Sequence, residues 1–206
     1  MKVFNIMKTI EGELGKAGTP ITMVWLGKCS QDCGDMCLMN FDKSLEMSTF
    51  ELRHQIKKIG VKDILFTKGD IIEQWEGKVE ELISILLFDD FRIDIETYGI
   101  GNPEAFEKLF QFKKVKLVLC LKLYGTSVDN VYDRVYDFAD EIKLMPRSLE
   151  ELVILLEKVK NFVGRVWVIP IGDDWQLYFD YVIANTPSKF NNVSVQIPLQ
   201  NIVDIP

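Results

Sequence analysis

The chain has 206 residues, of which 48% are hydrophobic and 27% charged, so it is long enough to bury one sizeable core. Its net charge of −7 argues against a broad nucleic-acid interface, which needs clustered Lys and Arg. Apolar runs such as residues 83–88 are too short to span a bilayer, and the first residues lack the apolar core of a signal peptide. We therefore expect one cytoplasmic domain over residues 1–206 that binds neither membranes nor nucleic acid.

Strand-like and helix-like segments alternate along the chain. In chain order they are strand 20–26, helix 48–59, strand 61–66, one long or broken helix 71–88, strand 91–95, helix 103–112, strand 115–121, helix 128–139, strand 141–145, helix 148–162, strand 166–171, helix 175–185 and strand 193–197. This alternation indicates parallel βαβ crossovers. We expect an α/β fold, with a partial (β/α) barrel as the first choice and an open doubly wound sheet as the alternative. In both, the chemistry lies at the carboxyl ends of the strands.

Three cysteines, Cys29, Cys33 and Cys37, lie within nine residues of one another after the first predicted strand. In a reducing compartment such clustering predicts metal binding rather than disulfides. Three thiolates can hold three irons of a four-iron cluster and leave the fourth iron open. A structural zinc site, the alternative, needs a fourth ligand, and Cys120 and His54 are both distant in sequence. The loop therefore favours an iron–sulfur cluster.

Short motifs follow one another in a fixed order along nearly the whole chain. They are TIEGE at 9–13, MVWLGKC at 23–29, FTKGD at 66–70, DIETYG at 94–99, CLK at 120–122, VWVIP at 166–170 and SVQ at 194–196. In this order they resemble the 7-carboxy-7-deazaguanine synthase group of the radical S-adenosylmethionine enzymes. The resemblance implies a radical SAM partial barrel. It also implies S-adenosylmethionine as cofactor, with a [4Fe–4S] cluster on Cys29, Cys33 and Cys37.

The same resemblance implies further site residues and partners. The implied cofactor contacts are Gly69, Asp70, Glu96, Thr97, Cys120 and Lys122. The implied substrate contacts are Glu11, Glu13, Trp25, Thr67 and Pro206, the last through the terminal carboxylate. It singles out no residue that donates or accepts the hydrogen. The implied partners are a small-molecule 7-deazaguanine and a reductase such as flavodoxin or ferredoxin, while a homodimer is left open.

Several positions depart from the group's motifs. Three residues instead of two separate Cys33 from Cys37, which leaves Met36 as an alternative to Cys37 as third ligand. Lys68 replaces a glycine, and Asp70 replaces a glutamate whose longer side chain meets the cofactor's amine in the group. Leu38 and Met39 stand where the synthases have the Asp-Thr that helps to place Mg²⁺.

Trp25 carries the departure with the clearest chemical meaning. It occupies the place of an arginine that pairs with the substrate carboxylate in the synthases, and an indole cannot balance that charge. A substrate without the carboxylate, such as queuine, fits this change. We therefore expect a queuine lyase that cleaves the C–N bond of queuine to give 7-aminomethyl-7-deazaguanine for queuosine salvage. The alternatives are a divergent 7-carboxy-7-deazaguanine synthase and an inactive binding protein of the radical SAM fold.

Overall fold

The computed structural model describes residues 1–31, 37, 39–75, 78–123, 130–172, 174–185 and 191–203. Its strands are β1 (Lys2–Ile10), β2 (Pro20–Leu26), β3 (Leu45–Glu46), β4 (Asp63–Thr67), β5 (Arg92–Thr97), β6 (Val115–Leu121), β7 (Glu141–Leu144), β8 (Arg165–Val168) and β9 (Val193–Val195). Its α-helices are α1 (Thr49–Ile59), α2 (Lys78–Phe88), α3 (Pro103–Leu109), α4 (Val135–Phe138), α5 (Leu149–Lys158) and α6 (Trp175–Asn185). None of these helices has the length and apolar character that a bilayer crossing requires.

The strands of the described residues form one sheet in the order β3-β1-β2-β4-β5-β6-β7-β8-β9. β1 pairs antiparallel with β2 and β3, and every pair from β2–β4 to β8–β9 is parallel. Each parallel strand lies beside the next parallel strand in the chain, so the strand order never reverses. A doubly wound sheet reverses its order at a switch point. This winding therefore confirms the predicted α/β fold in its partial-barrel form.

The two faces of the sheet have different environments because side chains alternate along a strand. Val24, Phe66, Ile95 and Leu119 are fully buried and belong to the main core, together with α2 residues such as Leu82. The alternate residues of the same strands face the barrel interior. That interior carries the polar side chains that form the candidate site.

The connection between β1 and β2 enters the barrel interior. This connection (residues 11–19) is called the plug, and it contains a 3-10 turn at Leu14–Lys16. Leu14 belongs to a small apolar cluster with Val118, Cys120, Trp167 and Ile169. The ammonium of Lys16 lies 2.8 Å from Asp94 Oδ1 and 3.2 Å from Asp63 Oδ1. The plug is therefore held by apolar packing and by ion pairs to β4 and β5.

The structure decides one predicted helical stretch, shortens another and adds two strands. The stretch over 71–88, predicted as one long or broken helix, is broken: a 3-10 turn at Ile71–Gln74 is followed by α2 from Lys78. Gln74 explains the break, since its side-chain amide bonds both the N–H and the C=O of Lys2 on β1. Of the helix predicted over 128–139, only α4 remains, and residues 128 and 129 lie outside the described residues. Strand β1 and the edge strand β3 were not predicted.

Candidate functional site

A cavity of about 310 Å³ opens in the barrel interior toward the carboxyl ends of β4 to β7. Strand ends and the plug both contribute to its wall. Its lining residues include Glu11, Glu13, Trp25, Thr67, Lys68, Glu96, Tyr98, Cys120, Lys143, Met145 and Gln200. This brings together four of the five predicted substrate residues. The fifth, Pro206, lies outside the described residues.

A buried lysine on β7 organises the polar wall of this cavity. Lys143 is 8% exposed, and its ammonium pairs with Glu13 of the plug and lies 3.0 Å from Glu96 Oε1 of β5. The other oxygen of Glu96 accepts the hydroxyl of Thr67, and Gln200 Nε2 donates to Glu13 Oε1 over 2.9 Å. One cation thus joins the plug to two strands.

The two glutamates of the plug differ in their electrostatics. Burial opposes ionisation of Glu13, but the charge and hydrogen bond of Lys143 outweigh it and lower the pKa of that carboxyl. Burial and the nearby charge of Glu96 raise the pKa of Glu11 to about 7. Glu11 is 8% exposed, and one of its oxygens accepts the backbone N–H of Glu13 over 3.2 Å. At neutral pH the plug therefore presents one ionised carboxylate, Glu13, beside one that titrates, Glu11.

Lys143 and Gln200 were not among the predicted site residues. Lys143 lies 130 residues from Glu13 and 47 from Glu96, so no local motif joins them. A signal does exist in β7, where Glu141 and Lys143 alternate with the buried Ile142 and Leu144. A lysine at an inward position of a covered strand must have an anionic partner.

Trp25, which the sequence predicts as a substrate contact, lies on the cavity wall. Its indole is half-buried and stacks on Phe4 with ring centroids 6.1 Å apart. The indole Nε1 lies 2.8 Å from the sulfur of Met23, which also lines the cavity. This side of the cavity is therefore apolar and polarizable rather than cationic.

The segment that follows β4 is held tightly against the end of β2. A Cβ at Gly69 would lie 2.5 Å from the carbonyl oxygen of Lys28, so only glycine fits there. Lys68 has a left-handed φ of +57° and lines the cavity. The N–H of Asp70 donates to the same Lys28 carbonyl over 2.8 Å.

The carboxylate of Asp70 is fully buried beneath this segment. It accepts the N–H groups of Ile72 and Tyr98, and the hydroxyls of Thr97 and Ser30. Burial raises the pKa of Asp70 to about 6, and these donors oppose the shift. Asp70 thereby joins the ends of β4 and β5 to the start of the cysteine loop. A bond to a cofactor amine would replace one of these contacts.

The remaining predicted cofactor residues occupy different places around the cavity. Cys120 and Glu96 line it, and burial, with the charge of Glu96, raises the pKa of the Cys120 thiol. Thr97 lies behind them, bonded to Asp70. The ammonium of Lys122 is buried 4.7 Å above the ring of Tyr98, so it is not the solvated lysine that a strand end usually carries.

Two of the three predicted cluster ligands are described, and Cys33 lies outside the described residues. Cys29 and Cys37 are half-buried cysteines. The N–H of Gln31 lies 3.4 Å from the sulfur of Cys29, a contact that stabilises a thiolate ligand. Among the described residues, no group of three His, Cys, Asp or Glu side chains could hold a metal ion. The donor chemistry of the loop suits the cluster, and the three-cysteine set stays a prediction.

Comparison with known proteins agrees with this architecture. No family model matches the sequence. The chain is 23% identical over 169 residues to the 7-carboxy-7-deazaguanine synthase of Haemophilus influenzae. The aligned region covers 78% of this chain and 72% of that protein. The crystal structure of QueE from Escherichia coli superposes with a TM-score of 0.69 at 19% identity, over 95% of this chain and 93% of that one. The chain therefore has the fold of QueE and is similar in sequence to a 7-carboxy-7-deazaguanine synthase.

Proposed function

We propose that this chain is a radical S-adenosylmethionine enzyme that acts on a 7-deazaguanine or on its precursor. The observation that carries the proposal is the cavity at the strand ends, where Glu11, Glu13, Trp25 and Thr67 meet in a fold shared with QueE. Carboxyl groups on one wall can bond the N–H edge of a guanine-like base, and the Trp25 face can cover an apolar substituent.

The cofactor set follows from the cysteine loop beside this cavity. Cys29, Cys33 and Cys37 would hold a [4Fe–4S] cluster, and the segment from Gly69 to Asp70 lies against the same loop. When bound, the cluster and S-adenosylmethionine supply the radical that removes a hydrogen atom from the substrate. The protein positions the substrate and excludes water. A flavodoxin or ferredoxin would supply the electron.

Formation of 7-carboxy-7-deazaguanine is the first candidate reaction. The similarity to a curated synthase over most of both chains supports it. The polar wall suits a pterin as well as a deazaguanine, since both present neighbouring N–H donors and a carbonyl. The bound carboxylate would then need a cation, and Lys68 on the cavity wall is a described residue that could provide one.

Cleavage of queuine is the second candidate reaction, and Trp25 favours it. The wall carries three glutamates, and Trp25 presents an indole where the synthase motif has an arginine. Such a wall disfavours a substrate carboxylate and suits a substrate with a protonated amine. Queuine carries that amine beside an apolar ring, and C–N cleavage would leave 7-aminomethyl-7-deazaguanine.

One anaerobic experiment separates these reactions. The reconstituted protein, with dithionite and S-adenosylmethionine, is incubated in parallel with carboxy-tetrahydropterin and with queuine, and products are identified by mass spectrometry. Carboxy-deazaguanine from the pterin alone establishes the synthase, and 7-aminomethyl-7-deazaguanine from queuine alone establishes the lyase. Absence of the iron–sulfur absorption band and of bound iron and sulfide would show an inactive member and refute the proposal.

A further inference from the structure

In the part of the chain that the structure describes, three carboxyl groups line the cavity beside a single buried ammonium. Lys143 contacts Glu13 and Glu96, and its ammonium has no hydrogen bond to Glu11 among the described residues. Lys68 also lines the cavity, but its side chain is exposed, so its charge is largely screened by solvent. A buried carboxyl group without a cationic partner takes up a proton rather than remain charged.

We propose that Glu11 and Glu13 act as an acid and carboxylate pair, in which neutral Glu11 donates to a ligand acceptor and ionised Glu13 accepts from ligand N–H groups. Lys143 is the positioning residue that makes the two glutamates different. This deepens the proposed function and rests on it for the ligand's identity. The pair selects a heterocycle whose edge presents a carbonyl oxygen or ring nitrogen next to N–H donors, as a lactam fused to an amino group does.

The geometry around Glu11 supports the assignment. One oxygen is occupied by the N–H of Glu13, which leaves the second oxygen as the one available to a ligand in the cavity. Among the described residues, the titratable groups that face Glu11 around this cavity are Glu13 of the plug, Lys68 after β4, Glu96 on β5, Tyr98 after β5, Cys120 on β6 and Lys143 on β7. Burial and the charge of Glu96 raise the pKa of Glu11 to about 7. The motif that this chain resembles has glutamine at this place, and neutral glutamic acid likewise offers a donor and an acceptor.

The binding experiment uses 7-deazaguanine as probe and calorimetry of the reconstituted protein with S-adenosylmethionine between pH 6 and pH 9. Wild-type affinity should fall about tenfold per pH unit above pH 7, because binding then requires uptake of a proton. Glu11→Gln should bind 7-deazaguanine with nearly constant affinity across this range, and at pH 9 its affinity should be higher than that of wild type. Glu13→Gln should bind at least tenfold more weakly at every pH. Glu81→Gln, the same change on an exposed face of α2, should follow wild type.

An infrared pH titration reads the Glu11 proton without a ligand. In wild type, the carbonyl stretch of neutral carboxylic acid should contain a component that titrates with a midpoint near pH 7. Glu11→Gln should lack that component and keep only the one that titrates near pH 6, which belongs to Asp70. A wild-type affinity independent of pH, or a Glu11→Gln variant as weak as Glu13→Gln, would overturn the inference. If wild type fails to bind 7-deazaguanine at pH 6 while the infrared signal titrates, the proposed function fails and the protonation of Glu11 stands.

Discussion

At the scale of single residues, the structure makes Lys143 the most consequential side chain of the cavity. It is the cation between Glu13 and Glu96, and removing it would leave both buried carboxylates without their buried cationic partner. We expect Lys143→Gln to destabilise the fold by about 3–5 kcal/mol, the usual cost of breaking a buried ion pair from one side. Urea unfolding at pH 7 measures this loss.

The charge-conserving variant is the control for Lys143. Lys143→Arg should recover at least half of the lost stability, because the guanidinium can still reach both carboxylates. Burial and the two glutamate charges act on Lys143 in opposite directions, and the charges win, raising its pKa above the ordinary value. A Lys143→Gln variant as stable as wild type would show that the ammonium contributes nothing.

Lys68 offers a second test at this scale, one of backbone strain. Its φ of +57° is costly for a residue with a Cβ and cost-free for glycine. We expect Lys68→Gly to be more stable than Lys68→Ala by about 1 kcal/mol, since both lose the charge but only the first relieves the strain. Urea denaturation of the two variants gives the difference. Equal stabilities would contradict the strain.

The sequence could identify site residues that lie within contiguous motifs but not those that the fold brings together. Glu11, Glu13, Trp25 and Thr67 were predicted from short motifs, and they meet in one cavity. Lys143 and Gln200 were not predicted, because their partners are distant in the chain and no local sequence pattern indicates such a pair. The fully satisfied carboxylate of Asp70 was equally out of reach, because its donors come from three separate segments.

At the scale of elements, capping signals and apolar runs predicted most strands and helices. The Ser48 and Glu51 side chains each accept the other's backbone N–H, and Gly60 ends α1 in a left-handed conformation, as the sequence pattern predicts. β1 was missed because it lies near the sheet edge and its buried positions do not alternate regularly. The pairing of β1 with β2 and β3 depends on contacts that the local sequence does not encode.

The segment after β9 secures the plug, and Gln196 makes the key contact. Its side-chain oxygen accepts the N–H of Leu14 over 2.5 Å, and its amide donates to the Leu14 carbonyl over 3.4 Å. We expect Gln196→Ala to lower the free energy of unfolding by about 1–2 kcal/mol, since a half-buried N–H loses its acceptor. Hydrogen exchange at the Leu14 amide should accelerate.

Gln176→Ala on the exposed side of α6 is the matched control for Gln196. It removes the same amide group but only a local hydrogen bond to Asp180. Its stability should stay within about 0.5 kcal/mol of wild type. If Gln196→Ala leaves Leu14 exchange unchanged, the contact does not hold the plug.

At the scale of the whole molecule, paired and unpaired carboxylates set the pH range of stability. The Arg53 guanidinium holds the pKa of Asp89 down at about 2, and Arg92 lowers that of Asp63. Such groups stabilise the fold above their unfolded pKa, and this stability is lost as the pH falls through the folded pKa. Burial raises the pKa of Glu11 to about 7 and that of Asp70 to about 6. These two groups therefore lower the stability of the fold as the pH rises. Between pH 4 and pH 7 the folded chain therefore binds more protons at these two sites than the unfolded chain.

The balance predicts a stability maximum near pH 5 rather than at neutral pH. As the pH rises from 5 to 7.5, Glu11 and Asp70 must ionise in their buried positions, so the urea midpoint should fall steadily. Glu11→Gln removes the first of these titrating groups. At pH 8 its free energy of unfolding should exceed that of wild type by an amount on the order of 3 kcal/mol, the free energy that corresponds to a pKa shift from 4.5 to about 7. At pH 4, where Glu11 is neutral in both states, the two proteins should be alike. A variant that differs from wild type equally at both pH values would show a packing effect and contradict the assignment of a buried proton to Glu11.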